Sequence, residues 1–377
     1  MFDQNKSLDI RRNFPIFDQY TFLNSASMAP LPLKTSNAMA NLLGELTEQA
    51  YLNMESWDKT IAETRSLAAR ITGGSYDEMA FIRNTSDGVS LVASGLPLKA
   101  GDEVIINDLE FPSNVYPWLN LEKKGVIVKT VKSREGRVEI DSIVRELTLK
   151  TRIVAISTVQ FSTGHRSDIA RLGQLARERN FLLFVDAIQS LGLIPMDVKA
   201  MNVDFLSCGG HKWLCAPEGI GVFFCDKRNL DSLDIVRLGW NSVTDSRNFA
   251  SIDFRLRPTA ERFEEGSSNL VGIYGLRESL SLVMENGVEN NFSHALALND
   301  HLAERLLSKN YKILSPFGEN ERSGILVFSS SDRGDNTGLA KKLRDNGVLV
   351  IERGNGIRVS PHFFNTIDDI DKLIDTI

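Results

Sequence analysis

Two segments, Phe181-Leu182-Leu183-Phe184-Val185-Asp186-Ala187-Ile188-Gln189 and Asp204-Phe205-Leu206-Ser207-Cys208-Gly209-Gly210-His211-Lys212-Trp213, carry the reading of the fold. Each opens on a short, mostly apolar run and closes on polar residues and turn formers. The unbroken run Phe181–Val185 lacks the alternation of a half-exposed strand, so it predicts a strand covered by helices on both faces. Just upstream, Asp168–Arg179 places Ile169, Leu172, Leu175 and Ala176 on one helical face, giving helix and strand in succession. The same texture spreads outward, with strands predicted at Met79–Ile82, Glu103–Ile106, Val126–Val131, Arg152–Ile156, Asp204–Ser207 and Gly221–Phe224. Strands alternating with helices imply an α/β fold with a large, doubly wound, mostly parallel sheet.

From about Ser267 the texture changes. Helical signals run to about Lys309; then come a strand at Gly324–Ser329, a helix at Gly338–Asn346, strands at Val348–Ile351 and Ile357–Val359, and a closing helix at Ile367–Ile377. This reads as a smaller C-terminal α+β domain. The expected division is an N-terminal segment over 1–20 packing on the small domain, a large domain over 21–265 and a small domain over 266–377.

The chain has 377 residues, a formal net charge of −6 and 24% charged residues, so disorder and a basic nucleic-acid surface are both disfavoured. No apolar run reaches the roughly 18 to 20 residues of a membrane helix. The first fifteen residues are charged and lack the apolar stretch of a secretory signal. Three cysteines, Cys208, Cys215 and Cys225, match no zinc or disulfide spacing, and the five histidines are scattered without an HExxH. A reduced, cytoplasmic protein without a metal is the expectation.

In open α/β sheets, ligands bind beyond the carboxyl ends of the parallel strands. The polar residues gather there: Asn84-Thr85-Ser86-Asp87 after one strand, Glu110-Phe111 after the next, Ser157-Thr158-Val159-Gln160, then Asp186 to Gln189, then Gly209 to Lys212. Asp186 ends a buried strand, so its carboxylate needs a partner; it either caps the next turn or fixes a negative charge against a protonated ring nitrogen. Lys212, between two glycines and a tryptophan, is poorly placed for a solvated surface lysine, and lysine forms Schiff bases with aldehyde cofactors. Thr85 and Ser86 open a helix whose N-terminus suits either a plain cap or a phosphate. Glu264-Glu265-Gly266-Ser267-Ser268-Asn269 has the same character. Arg358 alternates with Ile357 and Val359, and is either a solvent-facing strand arginine or a clamp for a carboxylate. Phe111 is either core or a surface for stacking on a flat ring.

Together these residues resemble the class V aminotransferase family of pyridoxal-phosphate (PLP) enzymes, which includes cysteine desulfurases and isopenicillin N epimerase. The likeness runs from Leu23-Asn24-Ser25-Ala26 to the Arg358 strand, and is most specific in Val185-Asp186-Ala187-Ile188-Gln189 and His211-Lys212-Trp213. It implies a type I PLP-transferase fold, with Lys212 carrying the cofactor as a Schiff base and Asp186 on the pyridine nitrogen. It further implies Gln189 on the phenolic oxygen, His211 near the phosphate, Thr85 and Ser86 on the phosphate, and Phe111 against the ring. Ser267 would reach the phosphate of the other subunit of a homodimer whose active site lies at the interface. Asn24, Ser25 and Ala26 would line the substrate side, and Arg358 would bind the α-carboxylate of a small-molecule amino-acid substrate.

Four departures stand out. No cysteine follows Cys225, where desulfurases carry their nucleophile; Phe111 stands for a histidine, Phe161 for an asparagine and Gly209 for a serine. The resemblance therefore implies an aminotransferase-type enzyme first, with a C–S lyase or epimerase as the alternative. A non-catalytic binding subunit is the second alternative, against which Lys212, Asp186 and Arg358 all speak. Neither a nucleic-acid nor a membrane partner is expected.

Overall fold

The computed structural model describes residues 9–330 and 335–377. Its centre is a seven-stranded sheet in the order β2-β8-β7-β6-β5-β3-β4. These strands are β2 (Met79–Ile82), β3 (Glu103–Asn107), β4 (Ile127–Val131), β5 (Thr151–Ser157), β6 (Leu182–Asp186), β7 (Phe205–Gly209) and β8 (Gly221–Cys225). The pairs β3–β4, β3–β5, β5–β6 and β6–β7 are parallel, and β8 runs antiparallel between β7 and β2. The α/β, mostly parallel architecture expected from the apolar runs is borne out. Every residue of β3, β7 and β8 is buried, as two-sided helical cover requires.

The C-terminal part holds a four-stranded antiparallel sheet, β12-β13-β10-β9. It is formed by β9 (Tyr311–Ile313), β10 (Leu326–Ser330), β12 (Ile351–Arg353) and β13 (Gly356–Val359). The run expected as one strand over Val348–Ile351 divides. Its first half, β11 (Val348–Leu349), pairs in parallel with β1 (Thr21–Phe22), while Ile351 enters β12 and pairs with Arg358. Leu23 lies in the core of this C-terminal part, with Leu326, Phe328, Val348 and Ile357.

The N-terminal segment expected over 1–20 lies partly outside the described residues; over 9–20 it reaches the end of the chain. Arg11 forms a bidentate pair with Asp369 at 2.7 and 2.9 Å, and Phe14 packs on Phe364 at a centroid distance of 4.5 Å. The helix Leu270–Asn286 contributes Ile273, Leu276 and Leu280 to the same buried cluster as the large sheet's Val185 and Leu206. We propose that the two parts divide at Gly287, after this helix, and not at residue 266.

Three histidines are buried inside this frame. His165, His294 and His362 are each held below the ordinary imidazole value of 6.5 chiefly by burial, His165 at about 4 and His362 at about 3. Below pH 6.5 the unfolded chain takes up protons that the folded chain refuses, so the stability these neutral rings provide is lost as the pH falls. The melting temperature is expected to drop steadily from pH 6.5 toward 4. A flat profile over that window in differential scanning calorimetry contradicts it.

Candidate active site

The chain leaves β7 through Gly209 and Gly210 into the turn that carries Lys212. A Cβ on Gly210 would approach the Ala216 Cβ to 2.8 Å, so the turn closes only around a glycine. Its far side is locked by Trp213, which is 1% exposed. The indole N–H donates to Gln189 Oε1 at 2.9 Å, and the Trp213 carbonyl meets His362 Nε2 at 2.9 Å. Trp213 also packs with Ala26, Val159, Leu193 and Val327, in a cluster that draws on the β7 turn, the N-terminal loop and β10.

The loop Asn24 to Ala29 ties this turn to the C-terminal sheet. Ala29 N–H donates to the His211 carbonyl at 2.9 Å, Gln189 Nε2 to the Ala26 carbonyl at 3.0 Å, and Ala26 N–H to Ser360 Oγ at 3.0 Å. Ser25 Oγ is buried without a hydrogen-bond partner among the described residues. Gln189 thus uses its oxygen and one amide hydrogen within the protein, leaving one amide hydrogen for a bound group.

Asp186 and Lys212 form the electrostatic centre. Asp186 is 1% exposed and has no ion pair among the described residues; its carboxylate accepts one hydrogen bond among them, from the Ile188 amide at 3.0 Å. Burial pushes its carboxyl well above the carboxylate range, and nearby Glu110 adds to that effect. Among the described residues, Lys212 Nζ makes no hydrogen bond or ion pair; it lies 5.7 Å from the Phe111 ring centroid. Burial pulls its ammonium down from 10.5 against the attraction of Asp186, with Arg358 and Arg353 lowering it further. A neutral, nucleophilic amine is therefore accessible near neutral pH.

Arg358 is 2% exposed and, among the described residues, pairs with no carboxylate. Its guanidinium donates to the Phe161 carbonyl at 2.8 Å and to Ser27 Oγ at 2.6 Å, with Asn24 Oδ1 at 3.5 Å. Nε is buried with no acceptor, and burial lowers the group to about 10. A buried arginine held only by neutral oxygens is suited to an incoming carboxylate.

At the helix Thr85–Gly95, Asn84 Oδ1 caps the Asp87 amide at 3.0 Å. Thr85 Oγ1 accepts from the Gly209 amide at 2.9 Å, and Ser86 Oγ donates to Ser113 Oγ at 2.7 Å. The plain cap is made, and the helix N-terminus also offers backbone donors for an anion. His211 is held below its ordinary value by burial and by Lys212. Phe111, 41% exposed, sits edge-on to Phe161 at 5.1 Å. Ser267 stands elsewhere: it lines a cleft with Arg83, Asp87 and Gly219 that includes neither Lys212 nor Asp186. Its neighbour Glu264 serves the fold, pairing with buried Arg65 at 2.6 Å and accepting from the Phe81 amide at 2.8 Å.

Glu110 was legible as a loop residue but not as part of the centre. It is buried among donors from Asn107 at 2.6 Å, Asn114 at 3.0 Å, the Ser157 amide at 2.7 Å and Gln160 at 3.0 Å. A post-strand glutamate flanked by two asparagines was the available signal. This network fixes the loop that presents Phe111.

The donor set fits pyridoxal phosphate: a buried carboxylate without an ion pair among the described residues, a desolvated lysine near it, and a helix N-terminus carrying the Thr85 and Ser86 hydroxyls. All three cysteines are buried, and burial raises each thiol.

The model of the class-V aminotransferase family matches residues 21–373. A probable cysteine desulfurase of Methanothermobacter thermautotrophicus is 29% identical, over 98% of this chain and 96% of the relative. An uncharacterized aminotransferase of Bacillus subtilis is 26% identical, over 97% and 96%. A solved cysteine desulfurase of Thermococcus onnurineus shares the fold, with a TM-score of 0.89 at 21% identity and coverage of 100% of this chain and 97% of that one. With the family model spanning nearly its whole length, the chain belongs to the class-V aminotransferase family of pyridoxal-phosphate-dependent enzymes.

Proposed function

We propose that the protein transfers an amino group between an α-amino acid and an oxo acid. The observation that carries this reading is a pair of buried charges that, among the described residues, make no ion pair: Asp186, near Lys212, and Arg358. When bound, pyridoxal phosphate supplies an electron sink for the bond broken at the substrate's Cα. Lys212 would hold the cofactor, and its Nζ would carry a proton to and from the substrate's Cα. Asp186 holds a proton on the ring nitrogen, with Gln189 on the phenolic oxygen. Thr85, Ser86 and His211 hold the phosphate, and Phe111 covers the ring. Arg358 orients the substrate through its carboxylate, with Asn24, Ser25 and Ala26 at its side.

A C–S lyase uses the same residues, and the cysteine desulfurases among the relatives favour it as the second reading. Against the persulfide form of that chemistry stand the absence of any cysteine after Cys225 and the burial of all three thiols.

We further propose a cytoplasmic homodimer in which Ser267 serves the partner's phosphate. Exposed Leu52, Phe249, Ile252 and Phe254 support an apolar interface. Among the described residues, no helix is long and apolar enough to cross a membrane.

The test is a panel of amino acids scored for oxo acid, sulfide and inversion products. The reading expects stoichiometric oxo acid that depends on an added amino-group acceptor. Sulfide, ammonia and pyruvate released together from cysteine without any amino-group acceptor overturn it in favour of the lyase.

A further inference from the structure

The cleft holds one more cation than the proposed reaction uses. In that reading Lys212 and Arg358 meet the cofactor and the α-carboxylate, whereas the Arg353 side chain has no partner among the described residues. Its place follows from the register of the β12–β13 hairpin. Ile351 lies opposite Arg358 and Arg353 opposite Gly356, so Ile351, Arg353 and Arg358 share one face of the sheet. That face is the one from which Arg358 reaches Phe161 and Ser27.

The hairpin turn is pinned over the same wall. Gly354 has φ +61°, and a Cβ there would come within 2.0 Å of the Ser162 carbonyl oxygen. The turn therefore rests on the Phe161–Ser162 loop, whose Phe161 ring meets Phe111 beside Lys212. Arg353 itself is exposed and, among the described residues, makes no hydrogen bond or ion pair, whereas its neighbour Glu352 is taken by Thr337 at 2.8 Å. Its charge bears on the site, since it helps to lower both Lys212 and Arg358. A third positive charge in reach of two others is unfavourable until an anion joins it, and the α-carboxylate neutralises only Arg358.

We propose that Arg353 is the specificity-determining residue for the substrate's side chain, and that the substrate is an amino dicarboxylic acid of the aspartate or glutamate class. The proposal rests on the amino-acid reading above and names the substrate class of that same site. The α-carboxylate goes to Arg358, and the side-chain carboxylate goes to Arg353 at the mouth of the cleft, beside the Phe111–Phe161 wall.

The test uses the protein loaded with pyridoxal phosphate, titrated by calorimetry with succinate, glutarate and butyrate, and assayed with aspartate, glutamate and alanine. The wild type should bind the better dicarboxylate about tenfold or more tightly than butyrate, as a charge-assisted pair allows. It should prefer the matching amino acid in kcat/KM by a similar ratio. Arg353→Gln should collapse both ratios toward one, and Arg353→Lys should restore part of each. Equal binding of succinate, glutarate and butyrate by the wild type overturns the proposal and leaves the amino-acid reading standing. So does an Arg353→Gln variant that weakens all three ligands alike, because Arg353 then serves the α-carboxylate. A protein that takes up no pyridoxal phosphate overturns both.

Discussion

Replacing Lys212 by alanine is expected to lower kcat by about 100- to 10,000-fold, the range that a positioned acid–base group contributes. The same change should abolish covalent capture of the cofactor. The loss should not be a folding defect. Lys212 Nζ makes no hydrogen bond or ion pair among the described residues, and its positive charge is buried at a cost. The turn is held instead by Gly210, Trp213 and the Ala29–His211 backbone bond. The cofactor-free variant is therefore expected to melt no lower than the wild type. Steady-state kinetics and calorimetry on the same preparation check both statements. Wild-type turnover in Lys212→Ala would remove this residue from the chemistry.

Asp186→Asn is the second large effect. The amide is nearly the same shape and still accepts the Ile188 N–H, but it carries no charge to hold a proton on a ring nitrogen. Removing one preorganised electrostatic partner costs about 100- to 1,000-fold in kcat. The same substitution relieves the cofactor-free protein of a buried carboxylate that has no cation, so its melting temperature should stay level or rise. A fall in kcat together with a rise in apo stability is the signature of a charge kept for function. A fall in stability with unchanged kcat would show that Asp186 is a cap on the turn at Ile188 and nothing more.

Most of the large sheet was legible because continuous apolar runs such as Phe181–Val185 have only one comfortable environment, between layers of helices. Asp186 and Lys212 stood out because charged residues at the ends of such runs need a reason to be there, and Arg358 because it alternates with Ile357 and Val359 within a strand. The structure sets Asp186 and Lys212 within electrostatic reach and buries Arg358 without an ion pair among the described residues. Other features depend on partners far away in the chain. Val348–Ile351 reads as one strand, yet its two halves serve different sheets because Thr21 and Arg358 compete for it. The helix Leu270–Asn286 follows a change of texture but packs on the large core, which no local pattern reveals. Glu110 looks like a loop carboxylate until Asn107, Asn114, Ser157 and Gln160 are folded around it. Arg353 gains its meaning only from the hairpin register that sets it beside Arg358.

The central claim is that Lys212 binds pyridoxal phosphate covalently. The most direct measurement is to add the cofactor to the purified protein, reduce with borohydride, and locate the modified peptide by mass spectrometry. The account predicts a visible absorption band that borohydride abolishes and a single pyridoxyl group on Lys212. A label on other lysines, or no label at all, contradicts it.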